Sequence, residues 1–340
     1  MSENHDSKVL CEGIDRFSHC RVLVVGDIIM DEFIWGRVER ISPEAPVPVV
    51  QVDRESLMMG GAGNVISNII ALGGQAVLSG VIGNDAMGRE LVRMIRRMNS
   101  PTHGIVVEDQ RPTTIKTRVV AHSQQVVRVD REKCRPVTED TVEQILAVLK
   151  QQLSSVDAIV VADYGKGVVT QSLMDGIRSL TRDSQVVLAV DPKLQNLALY
   201  RHVTLVTPNN QEAQAMSGII IEDEVSLKQA GYHLLQELGC QMVLITQGER
   251  GMTLFEQNGE TTQIPTVARK VFDVSGAGDT VISTFTLALA AGLTPRQSAV
   301  LANLAAGLVV AEVGTATVAG SRLKEALLDG IPSPGMGVKE

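Results

Sequence analysis

AIVVAD (residues 158–163), VVLAVD (186–191), VTLVTPN (203–209) and MVLITQG (242–248) are four short apolar runs, each stopping at Asp, Asn or Gly. A continuous Val/Ile/Leu run of this length predicts a strand buried on both faces, as in a parallel sheet. Helix-patterned stretches lie before and between them, at Glu139–Leu153, Gln171–Leu180 and 222–238. Strand and helix in alternation predict an α/β fold, a parallel sheet with helices on both faces. Toward the N-terminus, RVLVVGD (Arg21–Asp27) and QAVLSGVIG (75–83) have the same form. GGAGN (Gly60–Asn64) opens a helix over Val65–Leu72 that Gly73-Gly74 ends. NDAMGRELVRMIRRM (84–98) reads as an amphipathic helix. Toward the C-terminus, strands are expected at Met252–Phe255 and Thr261–Ile264, then helices.

Two segments break the alternation. FIWGRVERISPEAPVPVVQVDRESLMM (33–59) carries three prolines and short alternating runs, and TTIKTRVVAHSQQVVRVDRE (113–132) alternates around Ser123-Gln124-Gln125. Both predict exposed antiparallel strands. A small sheet standing off the body, built from about 33–55 and 113–131, follows. The expected organisation is one domain over 1–330 with a loose tail, 331–340.

The formal net charge is −8, from 31 Lys and Arg against 39 Asp and Glu. With no basic tract, this argues against nucleic acid or an anionic membrane as main partner. Cys11, Cys20, Cys134 and Cys240 form no CxxC pair and no zinc-spaced cluster. The polar start MSENHDSKVLCEGIDRF lacks the apolar core of a signal peptide, and no apolar run approaches membrane-spanning length. The expected compartment is the reducing cytoplasm.

DVSGAGDT (Asp273–Thr280) carries the strongest chemical signal. Gly276, Ala277 and Gly278 lead directly into a long apolar helix. A helix N-terminus exposes unpaired N–H groups and a positive dipole end, and small side chains let a phosphate approach it. Asp279 beside such an anion hole is read in two ways. It is a general base for an attacking hydroxyl, or a plain helix cap. No GxxxxGK[ST] is present, GAGNVI and GAGDTV lack the last glycine of GxGxxG, and no GxSxG occurs.

DVSGAGDT resembles the second signature of the ribokinase-like (pfkB) carbohydrate kinases, and GGAGNVISNIIALGG (60–74) resembles the first. The similarity runs from about Arg21 to about Thr317. Within that family, SPEAPVPVV (42–50), the 113–130 stretch, ADYGKGV (162–168), VDPK (190–193) and TPNNQE (207–212) are most similar to the heptose 7-phosphate kinases of ADP-heptose and lipopolysaccharide synthesis. The resemblance implies a three-layer α/β/α sandwich with a β-sheet lid, ATP and Mg²⁺ as cofactors, and a homodimer clasped through the lid. Many such relatives are fused to a nucleotidyltransferase with an HxGH motif. No HxGH occurs here, so a stand-alone kinase is expected, with a separate nucleotidyltransferase as a possible pathway partner.

The resemblance also implies roles. Asp279 matches the base, and Gly276, Ala277 and Gly278 the anion hole. Asn64 and the glycines of Gly60–Gly63, Gly61 among them, match the sugar-binding loop. Asp27 and Asp31 match carboxylates facing sugar hydroxyls, though Asp31 alone reads as a surface turn residue. Asn209 and Glu212 match the pair that positions Mg²⁺ through water; the same spacing is a capping box, and both readings hold together. Lys193 matches a phosphate contact or is a solvated lysine. Thr246, Gly248 and Gly251 match the nucleotide-side loop, and Asn303 the helix bordering the adenine. Lys116, Arg118, Arg128 and Lys166 are candidates for the acceptor's 7-phosphate, or are edge charges that discourage aggregation. Val274-Ser275 stands where the family has Thr-Thr, and Gly63 where Ala is common. Other acceptors of the same fold (fructose 6-phosphate, ribose, a nucleoside) and a catalytically silent sugar- or nucleotide-binding regulator stay open.

Overall fold

The computed structural model describes residues 2–122, 124–268, 274–312 and 316–329, and side chains from residue 7 onward. Ser123 of the hairpin turn, Asp273 of the DVSGAGDT string and the 331–340 tail lie outside the described residues. The first half runs α1 (Ser2–Arg16), β1 (Arg21–Ile41), β2 (Pro48–Gly61), α2 (Ala62–Ala71), β3 (Gln75–Gly83), α3 (Ala86–Arg97), β4 (Ile105–Glu108), β5 (Thr114–Ala121), β6 (Gln124–Arg131) and α4 (Glu139–Gln152). Then come β7 (Ala158–Ala162), α5 (Gln171–Thr181), β8 (Val187–Asp191), β9 (Leu205–Val206), α6 (Asn210–Ser217), α7 (Glu224–Leu238) and β10 (Met242–Thr246). The chain closes with β11 (Met252–Glu256), β12 (Thr261–Ile264), α8 (Ala277–Ala290), α9 (Pro295–Val309) and α10 (Gly320–Leu328).

The body sheet has the order β12-β11-β10-β9-β8-β7-β1-β3-β4. It is parallel from β10 to β4, and β11 and β12 add antiparallel strands at one edge. Successive strand side chains point to opposite faces, so one strand feeds two cores. Val22 and Val24 of β1, Val160 of β7 and Leu244 of β10 pack with α2, α8, α9 and α10. Leu23 and Val25, Val161 and Val243 pack with α4, α5 and α7 on the other face. This is the three-layer sandwich the alternation predicts, and it is why these strands are apolar throughout.

The expected RVLVVGD strand is longer than its apolar run. β1 continues for 21 residues, to Ile41. Residues 21–27 pair with β3 and β7 in the body; from Ile28 the strand pairs with β2 antiparallel and, from Ile29, with β5 parallel. β6 closes the lid by pairing antiparallel with β5. The lid order is therefore β2-β1-β5-β6, and its first strand is a direct extension of the central strand of the body. The burial pattern records the change, buried from Val22 to Asp31 and then increasingly exposed. The β2–α2 junction passes close over β1. Gly61 caps α2 at φ 57°, and a Cβ there would come within 2.4 Å of the Asp27 carbonyl oxygen. Only glycine suits that backbone and that approach.

Candidate active site

The site forms where the carboxyl ends of β7, β8 and β10 meet the N-termini of α2 and α8, under the first residues of the lid. Gly276 caps α8 in the left-handed region, φ 79°, which turns the chain into a helix whose first-turn N–H groups face outward. A Cβ added at Gly278 would meet nothing within 4 Å, so the ground beside this turn is open. Asp279 follows as the third helical residue. The cap residue itself, Gly276, makes no side-chain capping bond. The Asp279 side chain turns inward, 6% exposed, and is held at both oxygens: Asn64 Nδ2 donates to Oδ2 at 2.6 Å, and the Tyr164 hydroxyl donates to Oδ1. Burial pushes the Asp279 carboxyl up to about 6, while the Tyr164 and Asn64 donors pull it down. Such a carboxylate is ionised at neutral pH yet retains useful basicity.

The two glycine-rich motifs meet here. Besides Asn64 and Asp279, Thr280 Oγ1 donates to Asn68 Oδ1 at 2.9 Å and Ser283 Oγ to the Val65 carbonyl at 3.1 Å. A polar seam thus fastens α2 to α8. Asn64 is 1% exposed; its Nδ2 holds the Asp279 carboxylate and its Oδ1 accepts from Asn68 Nδ2 at 3.4 Å.

Asp27 is a correction. It was expected to face sugar hydroxyls. It is 1% exposed, and its carboxylate accepts backbone N–H groups of Tyr164 (2.9 Å), Lys166 (2.9 Å) and Val168 (3.1 Å). Burial raises its carboxyl to about 6 against these three bonds. Its work is to shape the Tyr164–Val168 loop. Asp31, four residues on, stands at the lid base beside Asp279, whose carboxyl its charge helps to raise. It is ion-paired with Arg118.

Arg118 also lies over the Phe33 ring, 5.3 Å from its centre. Lys116 is two residues before it on the same face of β5, Arg128 is its partner across on β6, and Lys116 pairs with Asp130. Arg128 grips Asp130 through Nε and Nη2, at 2.9 and 3.1 Å. Lys166 reaches Glu132 at 2.8 Å. Burial first, then the neighbouring Lys166 charge, depress the Lys116 ammonium, while Asp130 and Glu132 oppose this. At Lys166, Glu132 outweighs burial and raises the ammonium.

On the far side of Asp279, Lys193 meets Glu212 at 2.5 Å and stands 6.0 Å from the centre of the Tyr164 ring. Burial alone would lower the ammonium; the Glu212 carboxylate more than offsets this, and Lys193 stays charged. Asn209 and Glu212 form a reciprocal capping box on α6, at 2.9 and 3.0 Å. Asp191, at the end of β8, was not anticipated. Burial, then the charges of Asp279 and Glu212, push its carboxyl well up. The Lys193 ammonium partly opposes that rise, and among the described residues no three His, Cys, Asp or Glu side chains are grouped so as to hold a metal ion directly. Thr246 ends β10 next to Asn209, and Gly248 and Gly251 turn the chain at φ 59° and 86°. Asn303 lies on α9 and donates to the Pro265 carbonyl at 2.8 Å. The expected residues thus form two groups around Asp279, lid cations on one side and Lys193, Glu212 and the α8 terminus on the other.

A family model described as pfkB family carbohydrate kinase matches residues 20–321. Among curated proteins, the chain is 45% identical to a bifunctional protein HldE of Desulfatibacillum aliphaticivorans over 93% of its own length and 65% of that relative's. It is 46% identical to the protein of the same name from Trichlorobacter lovleyi, over 92% of its length and 64% of the relative's. The chain therefore spans just under two thirds of these relatives. Among solved structures, it is similar to Arabidopsis thaliana ribokinase complexed with ribose and ATP (TM-score 0.72, 18% identity, 91% of this chain and 98% of that one). It is also similar to Escherichia coli phosphofructokinase-2 in complex with substrates and products (TM-score 0.75, 18% identity, 91% and 99%).

Proposed function

Because the chain belongs to the pfkB family of carbohydrate kinases, we propose that it transfers the γ-phosphoryl group of ATP to the anomeric hydroxyl of D-glycero-D-manno-heptose 7-phosphate. The observation that carries the acceptor is the cation-rich inner face of the lid, Lys116, Arg118 and Arg128 with Lys166 beside it, opposite a buried carboxylate at a helix N-terminus. Guanidinium and ammonium groups suit an acceptor bearing its own phosphate. The motif resemblance to heptose 7-phosphate kinases favours the seven-carbon sugar.

In this reading Asp279 takes the proton of the attacking hydroxyl as its oxygen bonds to the γ-phosphorus and ADP departs. Asp31 accepts hydrogen bonds from sugar hydroxyls. The first turn of α8, with Gly276, Ala277 and Gly278, and the Lys193 ammonium stabilise charge on the transferring group. Mg²⁺, when bound, neutralises phosphate charge. Glu212 and Asn209 offer the oxygens that would hold it, through water. Thr246, Gly248, Gly251 and Asn303 border the nucleotide. The chain acts as one catalytic body with its lid, in the cytoplasm, as a dimer clasped through the lid; a separate nucleotidyltransferase would use its product. Among the described residues, no helix is long and apolar enough to cross a membrane.

The test is Mg²⁺–ATP turnover with the heptose 7-phosphate, fructose 6-phosphate, ribose and adenosine side by side. The heptose phosphate should have the highest kcat/KM. Lys116→Met should raise KM for it roughly tenfold or more, the loss of one charge-assisted hydrogen bond, with kcat little changed. A preference for ribose or adenosine would overturn the reading of the lid while leaving the kinase family intact. Protonated Asp279 cannot accept a proton, so kcat/KM should fall as pH drops through about 6, the raised value of its carboxyl. A pH profile flat from about 5 to 8 would contradict the role given to Asp279.

A further inference from the structure

We propose that Tyr164 is a positioning residue for the Asp279 carboxylate, its hydroxyl keeping that group ionised and aimed at the acceptor. The inference rests on the reading of Asp279 as the base. Its starting point is how tightly the Tyr164 loop is held. Asp27 accepts the N–H groups of Tyr164, Lys166 and Val168. Asp163 accepts the N–H of Gly165 at 2.7 Å, and is itself fixed by the Tyr200 hydroxyl at 2.7 Å and Asn196 Nδ2 at 2.6 Å. Two buried carboxylates thus orient four successive or near-successive N–H groups of one short loop. The loop so shaped carries its one aromatic side chain to Asp279.

At Asp279 the two donors divide the work by atom, Asn64 on Oδ2 and Tyr164 on Oδ1. A donor on each oxygen fixes the rotation of the carboxylate plane and leaves further lone pairs for an incoming hydroxyl. Burial and the Asp31 charge favour the neutral acid; hydrogen bonds to the charged form and the Lys193 charge oppose it, and Asp191 is the further carboxylate that interacts with Asp279. Burial and the Asp279 charge push the phenol far up, so Tyr164 remains a donor across the working pH range. Tyr164 is therefore placed to tune the base without exchanging a proton with it. The ring under Lys193 also connects this carboxylate to the cation on the phosphate side.

The experiment compares pH profiles of kcat/KM for the parent, Tyr164→Phe and Asp279→Asn, using Mg²⁺–ATP and the best acceptor of the panel. Tyr164→Phe removes one oxygen and keeps the ring. Its acid limb should move up by about one pH unit, the size expected for loss of one hydrogen bond to a charged group. Activity should then fall about fivefold at a pH near 6, approach a tenfold deficit well below it and reach the parent value well above the limb, with Tm close to the parent. A uniform loss at every pH, with the limb unmoved, would be a structural effect and would overturn the proposal. The Asp279→Asn arm separates the two readings. If that variant still turns over, the base assignment fails; if it is inert and the Tyr164→Phe limb stays put, only the role of Tyr164 fails. Should Tyr164→Phe not fold, uniform 3-fluorotyrosine labelling gives a more acidic phenol and a stronger donor, which should move the limb down. Tyr200 and Tyr232 make their hydrogen bonds elsewhere, to Asp163 and to Gly259 and Thr261, so an unmoved limb counts against Tyr164.

Discussion

Asp279→Asn is expected to lower kcat by about 10²- to 10⁴-fold, the usual contribution of a general base, while ATP affinity stays within a few-fold of the parent. The substitution keeps the shape of the side chain and one oxygen acceptor, but an amide takes up no proton at working pH. The nucleotide contacts proposed for the α8 terminus come from backbone N–H groups, which the substitution leaves in place. Steady-state kinetics together with calorimetric nucleotide binding separate the two quantities. Undiminished turnover would remove Asp279 from the mechanism. Loss of nucleotide binding with the loss of kcat would instead make Asp279 a support of the anion site.

Asp27→Ala should destabilise the fold by about 3 kcal/mol or more, because three backbone N–H groups lose a buried acceptor and each orphaned donor costs about 1–3 kcal/mol. Burial opposes the effect, because for the ionised carboxylate desolvation outweighs the three N–H bonds and raises the group to about 6; the loss therefore comes from the donors left without an acceptor. Activity should fall as well, because the released loop carries Tyr164 toward the base and Lys166 toward the lid. Chemical denaturation and kinetics on the same sample check both. A carboxylate that served only to bind sugar would give another pattern, a raised KM with the unfolding midpoint unchanged. That result would restore the role that the sequence suggested for Asp27.

The reading of Asp27 shows where a sequence stops being informative. Its position at the end of a buried strand was legible, because the apolar run RVLVVG ends there. The direction of its side chain depends on a loop more than a hundred residues later, and no local pattern records that. The continuation of β1 was missed for a related reason. Beyond Ile28 the strand leaves the two-sided core, and its pattern changes from continuous apolar to mixed, which resembles the end of a strand. In contrast, QAVLSGVIG coincides with β3 because it is buried on both faces from Ala76 to Gly83. Asn209 and Glu212 were legible as a capping box, since that signal is confined to four residues. Asn64 and Asp279 were each singled out from their glycine-rich surroundings, but their direct hydrogen bond was not. Tyr164 and Asp191 gave no signal as single letters; their importance comes from a carboxylate brought to them by the fold.

The hydrogen bond between Asn64 and Asp279 joins residues 215 positions apart. Contacts at such separation require a large loop to close before they contribute, and folds rich in them form slowly. During synthesis, which delivers the N-terminal part first, α2 and the lid strands of β1 and β2 emerge long before α8 exists to receive them. Asn64 then waits with its amide unfilled while most of the sheet is laid down. The proposed reactive centre is accordingly one of the last parts of the molecule to become complete.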